Sequence, residues 1–473
     1  MDEPRDDIDT WLEERVTPLL PRPGTFEQVK KRARRRKLGQ AAMAVAGAAV
    51  VVAGAIAVPR LVLPRHVGGA PLAQASSTTP AQQSSPSPAK PSSSATAGSV
   101  DGSARPTALP TSDLVPPNFA ASSVTFVSQT TGWVIGQAGT PGHCGPPDPN
   151  ICTSLAGTND SGQTWHGIPA PVTGPPDGGT GVSQVRSLNG ADGWAFGPQL
   201  FATHDSGQTW HRIPTHEMRV TGLETVNRVA FAIWARCTGT GADFAAGCTS
   251  FSLYSSPASQ DDWTPVAGVT GLGASGGTPA SAQLVLTGSR GYLLAPGGQL
   301  FSGPVTSRAH WHLVTSAQGA PVTLPCAPGA AETGGHPLQA MLAATGPGLV
   351  LLCADQASGN RQAKTLHYSA DGGRTWNPAG HAPTRGIAMS LSGTPTGPVL
   401  VATSDGIESS ANAPGTTGTL TWRTAQGATA AGGYSYVGMT TSAQGVAVPA
   451  NVTADAIWFT YDGGANWQKS PVH

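Results

Sequence analysis

TNDSGQTW, residues 158–165, returns as THDSGQTW at 203–210, SADGGRTW at 369–376 and TYDGGANW at 460–467. Each copy reads S/T-x-D-x-G-x-x-W, and the residue types explain the spacing. A short Asp side chain can accept hydrogen bonds from backbone N–H groups a few residues on, and the Gly two positions later can adopt positive φ, so the pair closes a tight hairpin. The Trp opens the next strand, where a large ring can fill the gap between neighbouring sheets with its N–H near the wet edge. Asp160, Gly162 and Trp165, Asp205, Gly207 and Trp210, Asp371, Gly373 and Trp376, and Asp462, Gly464 and Trp467 are therefore expected to be builders of structure.

Three decayed copies extend the series. SPASQDDW ends at Trp263, VTSRAHW ends at Trp311, and LTW ends at Trp422. The seven Trp residues mark a period of roughly 45 to 65 residues, the range of one propeller blade with its loops. Upstream of each lies a short apolar strand: GWVIG at Trp133, GWAFG at Trp194, VAFAIW ending at Trp234, GYLLA at Tyr292, GLVLLC ending at Cys353, GPVLVA at Val399 and QGVAV at Val446. Seven apolar strands match seven terminal Trp residues, and Gly, Pro, Ser and Asn clusters separate them with no sustained helical period after residue 118. The fold expected over 118–473 is all-β, a seven-bladed β-propeller of four-stranded blades.

The phrase resembles the Asp box, or BNR repeat, of the sialidase-like β-propellers. The resemblance spans 118–473 and is nearest in style to non-catalytic members such as photosystem assembly factors and sortilin-type ectodomains. Catalytic sialidases of this fold clamp a carboxylate with three arginines and use a Tyr/Glu nucleophile pair with an Asp acid/base. An Arg-Ile-Pro motif carries the first arginine in that family. Here Arg212–Pro214 repeats those letters but follows Trp210, which places it on an outer strand of the second blade. Glu217, Glu224, Glu332 and Glu408 are the glutamates beyond the apolar run near the N-terminus, and none neighbours a Tyr in sequence. Xyloglucan-cleaving propellers, which share the repeat, need two carboxylates facing one cleft. Asp177, Asp192 and Asp243 remain after the repeat positions are set aside. His166, His211 and His312 each follow a blade Trp and read as outer-strand positions. The resemblance implies a binding or scaffolding module, with an exported glycoside hydrolase, sialidase-like or xyloglucanase-like, as the alternative.

The N-terminal quarter follows other rules. LGQAAMAVAGAAVVVAGAIAV, 38–58, carries no charge and is long enough as a helix to cross a ~30 Å hydrocarbon core. KKRARRRK, 30–37, precedes it, which by the positive-inside rule puts residues 1–37 in the cytoplasm and the propeller outside. A signal anchor is expected, because the apolar run is longer than a signal-peptide core and the basic stretch lies well inside the chain. DDIDTWLEERVTPLL, 6–20, has the pattern of a short amphipathic helix. Residues 59–117 form a linker whose Pro, Ser, Ala and Thr tract cannot bury enough surface to fold. As a coil it would span about 40 Å, and fully extended about 150 Å.

Charged residues make up 11% of the chain and balance to zero, which points away from nucleic acid. The six cysteines all follow the apolar run and fall as Cys144 with Cys152, Cys237 with Cys248 and Cys326 with Cys353, which reads as local disulfides in an exported domain. No cofactor motif and no Cys/His cluster of zinc spacing occurs, so no cofactor and no metal is expected. In a four-stranded blade the third-to-fourth turn, with the Asp box, shares a face with the first-to-second turn. The cysteine pairs and the longest insertions, 136–153, 236–249 and 354–364, fall on the other face. Stapled long loops on a rigid scaffold are where ligand groups gather, and Arg236, Asp243, Phe244 and Arg361 are the side chains most available there.

Overall fold

The computed structural model describes residues 114–473 except 139–152, 175, 177–178, 239–246, 274–281, 327–338, 347, 395–397, 416–418 and 452–453. Residues 1–113, which hold the expected cytoplasmic segment, the apolar run and most of the expected linker, lie outside the described residues, as do Cys144, Cys152, Asp177, Asp243, Phe244 and Glu332.

Seven antiparallel sheets follow one another along the chain. Blade 1 holds β1 (Ala120–Phe126), β2 (Gly132–Gln137), β3 (Thr153–Thr158) and β4 (His166–Ile168), and blade 2 holds β5 (Gln184–Ser187), β6 (Gly193–Phe196), β7 (Leu200–Thr203) and β8 (His211–Arg212). In blade 3, β9 (Arg219–Val226), β10 (Val229–Cys237), β11 (Cys248–Pro257) and β12 (Thr264–Pro265) are joined by a short β13 (Leu272–Gly273) paired with β11. Blade 4 comprises β14 (Gln283–Leu286), β15 (Arg290–Leu294), β16 (Leu300–Pro304) and β17 (His312–Leu313); blade 5 comprises β18 (Gln339–Thr345), β19 (Gly348–Ala354), β20 (Lys364–Ser369) and β21 (Asn377–Ala382). Blade 6 is β22 (Ala388–Gly393), β23 (Val399–Thr403), β24 (Gly406–Ser410) and β25 (Trp422–Thr424), and blade 7 is β26 (Tyr434–Met439), β27 (Gly445–Pro449), β28 (Ala456–Thr460) and β29 (Gln468–Pro471). All seven apolar strands read from the sequence are second strands, and each terminal Trp opens or directly precedes a fourth strand.

The continuous apolar character of the second strands has a packing cause. Blades lie face to face, so a second strand is covered on both sides and cannot alternate polar with apolar residues. Every residue of β19 and of β23 is buried, whereas β8 is exposed at both positions. The hydrophobic clusters accordingly run between sheets. One joins Val229, Phe231 and Ile233 of blade 3 to Leu293 and Phe301 of blade 4, with Trp311 fully buried beside them. Burial of one such aromatic ring contributes on the order of 3 kcal/mol.

The four repeated turns share one geometry. Asp160 Oδ1 accepts from Gln163 N (3.0 Å), Thr164 N (2.9 Å) and Thr158 Oγ1 (2.8 Å), while Oδ2 accepts from Thr164 Oγ1 (2.6 Å). Thr158 Oγ1 in turn accepts from Gly162 N at 2.9 Å. Gly162 has φ +79°, and a Cβ there would run into Phe459 of blade 7. Burial opposes ionisation of Asp160, but the Thr164, Thr158 and Gln163 hydrogen bonds outweigh it and hold the carboxyl below its ordinary pKa.

Among the described residues every sheet is built from consecutive strands, and no described strand is exchanged at the seam between blade 7 and blade 1. Side chains close it instead. Phe126 meets Phe459 edge-on at 5.5 Å, Trp165 Nε1 donates to Ser470 Oγ (3.3 Å), Tyr461 OH to Ser161 O (2.9 Å) and Gln444 Nε2 to Gln129 O (2.6 Å). The chain entering the propeller lies over β4, where Gly167 leaves room for the Leu114 carbonyl, and Val115 joins the cluster that holds Val472 and Ile457.

Candidate functional site

The first strands β1, β5, β9, β14, β18, β22 and β26 pack in succession and form the innermost layer, with β1 meeting β27 and β28 of blade 7 at the seam. Arg186 on β5 reaches across this centre. Its Nε donates to Glu224 Oε1 on β9 at 3.1 Å, and its Nη1 donates to Val185 O (2.9 Å) and to Ser123 Oγ on β1 (3.3 Å). The guanidinium also lies over the Tyr436 ring on β26, 5.8 Å from its centroid. Four blades thus meet at one cation. Burial raises the Tyr436 pKa; Arg186 opposes the rise and Glu224 adds to it. The sequence separates Glu224 from every Tyr, and the ring brings it to the same centre as Tyr436. Arg212 of the Arg-Ile-Pro motif is elsewhere, exposed on β8 as expected.

Cys237–Cys248 bridges the ends of β10 and β11, and Cys326–Cys353 ties the crossing out of blade 4 to β19. Arg236 and Arg361 are exposed beside these connections. Arg361 Nη2 donates to Thr384 Oγ1 at 2.7 Å. Its loop is fastened underneath by the buried Lys364, whose Nζ donates to the carbonyls of Gln362 (3.1 Å), Arg385 (3.2 Å) and Gly386 (2.7 Å). Burial lowers the Lys364 pKa, with Glu408 opposing, and burial raises that of Glu408. A pocket of about 500 Å³ opens on this stapled face between blades 2 and 3, lined among others by Gln199, Arg212, His216, Glu217, Arg219 and Cys237.

The opposite face carries a larger cleft of about 870 Å³ across blades 2 to 4, lined by Asn189, Asp192, Asn227, Arg228, Gln260 and Ser307 among others. Beside it is a cluster that spacing in the sequence does not reveal. His204 follows β7, His211 begins β8, and Asp261 sits in the turn before β12 of the next blade. Asp261 Oδ2 is 2.9 Å from His204 Nε2 and 2.6 Å from His211 Nε2, while Asp261 Oδ1 accepts from Trp194 Nε1 at 3.3 Å. His204 Nδ1 lies 2.8 Å from Asp192 Oδ1. Hydrogen bonds to Asp192 and then Asp261 push the His204 pKa up to about 9, against the effect of burial. Burial works against ionised Asp261, yet its contacts with His204 and His211 hold its pKa below the usual range. An alignment of the boxes gives the one available signal, since Asp261 occupies the position of Gln163, Gln208 and Arg374 in a copy whose own Asp has become Ala258.

The molecule is a seven-bladed β-propeller with a stapled face and a cleft-bearing face. No protein-family model matches the sequence, and no curated protein does. Among solved structures the chain is similar to YCF48 from Cyanidioschyzon merolae, with 13% identity and TM-score 0.43 over 63% of this chain and 88% of that one. It is similar to YCF48 bound to D1 peptide, with 16% identity and TM-score 0.43 over 76% and 98%. It is also similar to an ancestral GH74 enzyme, with 12% identity and TM-score 0.46 over 75% and 45%. At these identities the likeness concerns architecture and carries no residue roles.

Proposed function

We propose that this chain is a membrane-tethered Asp-box propeller, displayed outside the cytoplasm by one signal-anchor helix, and that it works as a binding or scaffolding module for an extracytoplasmic protein or polysaccharide. The single observation that carries binding over hydrolysis is the state of the centre. The seven innermost strands bear one carboxylate, Glu224, and Arg186 engages it at 3.1 Å. A glycosidase of the ordinary type needs two carboxyl groups about 5 to 10 Å apart across its substrate. The disulfides Cys237–Cys248 and Cys326–Cys353 suit an exported domain. The working face in this reading is the stapled one, with Arg236 and Arg361 as ligand groups alongside Asp243 and Phe244.

A second reading, an exported glycoside hydrolase, is favoured by the presence of Tyr436 in the same centre as Glu224 and Arg186. The two readings separate in one assay. The purified protein is offered a fluorogenic sialoside and xyloglucan, beside Glu224→Gln and Tyr436→Phe. The binding reading expects no turnover by any of the three. Turnover by the native protein that either substitution abolishes would overturn it.

A further inference from the structure

We propose that His204, His211 and Asp261 form a binding site for a zinc-type divalent cation that clamps blade 2 to blade 3 at the rim of the larger cleft. The ligand atoms would be His204 Nε2, His211 Nε2 and an Asp261 carboxylate oxygen, which all lie within 4.8 Å of one another. Two imidazoles and a carboxylate suit first-row divalent ions of the zinc class, and three protein ligands with an open fourth position describe a zinc site completed by water. His211 is half exposed, with 52% of its side chain accessible, which leaves that position open to solvent, while Asp261 at 11% is held from within.

The surrounding contacts are those that orient ligands. A metal-bound histidine ordinarily donates its other ring N–H to a carboxylate, which fixes the tautomer and the ring plane. Asp192 is such a carboxylate, 2.8 Å from His204 Nδ1; both ring nitrogens face carboxylates that only accept, so without metal both carry protons, and a bound cation would displace the proton on Nε2 while Nδ1–H stays on Asp192. Asp261 is oriented in its turn by Trp194 Nε1. At metal distances near 2.0–2.1 Å tetrahedral ligands stand about 3.3 Å apart. The present separations of 2.9 and 2.6 Å therefore need to open by about half an ångström, a small side-chain movement for the exposed His211. The ligands arise from two blades, with His204 inside the box of blade 2, His211 directly after it, and Asp261 in the decayed box of blade 3. That copy has Ala258 in place of the capping Asp, and Asp261, from another position of the turn, is directed at the neighbouring blade. The site is independent of the stapled face and of the central Arg186–Glu224 pair.

The test uses the full chain in detergent, stripped with a chelator and titrated with Zn²⁺ by calorimetry, with bound metal counted by elemental analysis. One equivalent of Zn²⁺ is expected, together with a rise in Tm on loading. His211→Ala, a change at an exposed position, should abolish both, and Asp192→Asn should weaken binding about 10- to 100-fold while leaving the stoichiometry intact. His310→Ala, in the stacked His310–His312 pair of blade 4, should change neither. Co²⁺ in place of Zn²⁺ should give the intense visible absorption of a tetrahedral site in the native chain and not in His211→Ala. Absence of stoichiometric Zn²⁺ from the native chain, equal binding by His211→Ala, or retention of Mg²⁺ or Ca²⁺ in preference to Zn²⁺ would each overturn the proposal.

Discussion

Asp371→Ala removes the acceptor at the heart of one repeated turn. Asp371 Oδ1 accepts from Arg374 N (3.1 Å), Thr375 N (2.9 Å) and Ser369 Oγ (2.8 Å), and Oδ2 accepts from Thr375 Oγ1 (2.8 Å). Each hydrogen bond contributes about 0.5–1.5 kcal/mol net. Water can replace the carboxylate for the exposed donors at Arg374 and Thr375, so their share falls toward the lower bound. Ser369 is fully buried and its hydroxyl loses an acceptor, at a cost of about 1–3 kcal/mol. The sum is about 2.5–4.5 kcal/mol, more than the loss of a strong helix cap. With an unfolding entropy of about 2.1 cal/mol/K per residue over roughly 350 residues, Tm should fall by about 3–6 °C in a calorimetric scan. Asp371→Asn, which keeps one acceptor, should lose about half as much. Partner binding by the folded fraction should not change. A Tm within 1 °C of the native value, or lost binding at unchanged Tm, would refute the structural role assigned to the turn.

Acid should act on the same turns. Asp160, Asp205, Asp371 and Asp462 have pKa values below their ordinary 3.8, so each contributes stability that is present above the unfolded value and lost as pH falls through the folded one. Denaturant midpoints should be flat from about pH 5 to 7 as far as these groups are concerned and drop below about pH 4, less steeply in Asp371→Asn. Disulfide removal should scale with the loop closed. Cys326–Cys353 spans 27 residues and Cys237–Cys248 spans 11, so paired Cys→Ala changes should cost about 3–4 kcal/mol for the first and less for the second in urea unfolding. The reverse order would contradict the entropic account. If the proposed anchor is retained, mass spectrometry of the native protein should find peptides from before Lys37; a mature N-terminus near Pro59 would overturn the anchor.

The sequence carried the blade count because the repeat is local chemistry. An Asp and a Gly two residues apart close a turn whatever surrounds them, and a second strand covered on both faces must be apolar throughout. All seven such strands appear where the apolar runs predicted them. The course of the chain from Leu114 over β4 has no signal in the sequence. That course depends on the seam packing of Phe126, Phe459 and Trp165, residues far apart in sequence. The central site was hidden for the same reason. Arg186 and Glu224 lie 38 residues apart, near one blade period, and Tyr436 reaches them only because the ring closes. His204 and Asp261, 57 apart, have no zinc-type spacing because such spacing describes ligands on one element, whereas these face each other across a blade interface.

The central claim is a binding module whose stapled face does the work. Partners captured on the full chain by crosslinking in native membranes are to be quantified against two sets of charge reversals. Arg236→Glu and Arg361→Glu alter the stapled face, and Arg228→Glu with Arg308→Glu alter the cleft-bearing face. The account predicts a loss of capture of tenfold or more from the first set and little change from the second. Equal losses from both sets, or loss from the second alone, would contradict it.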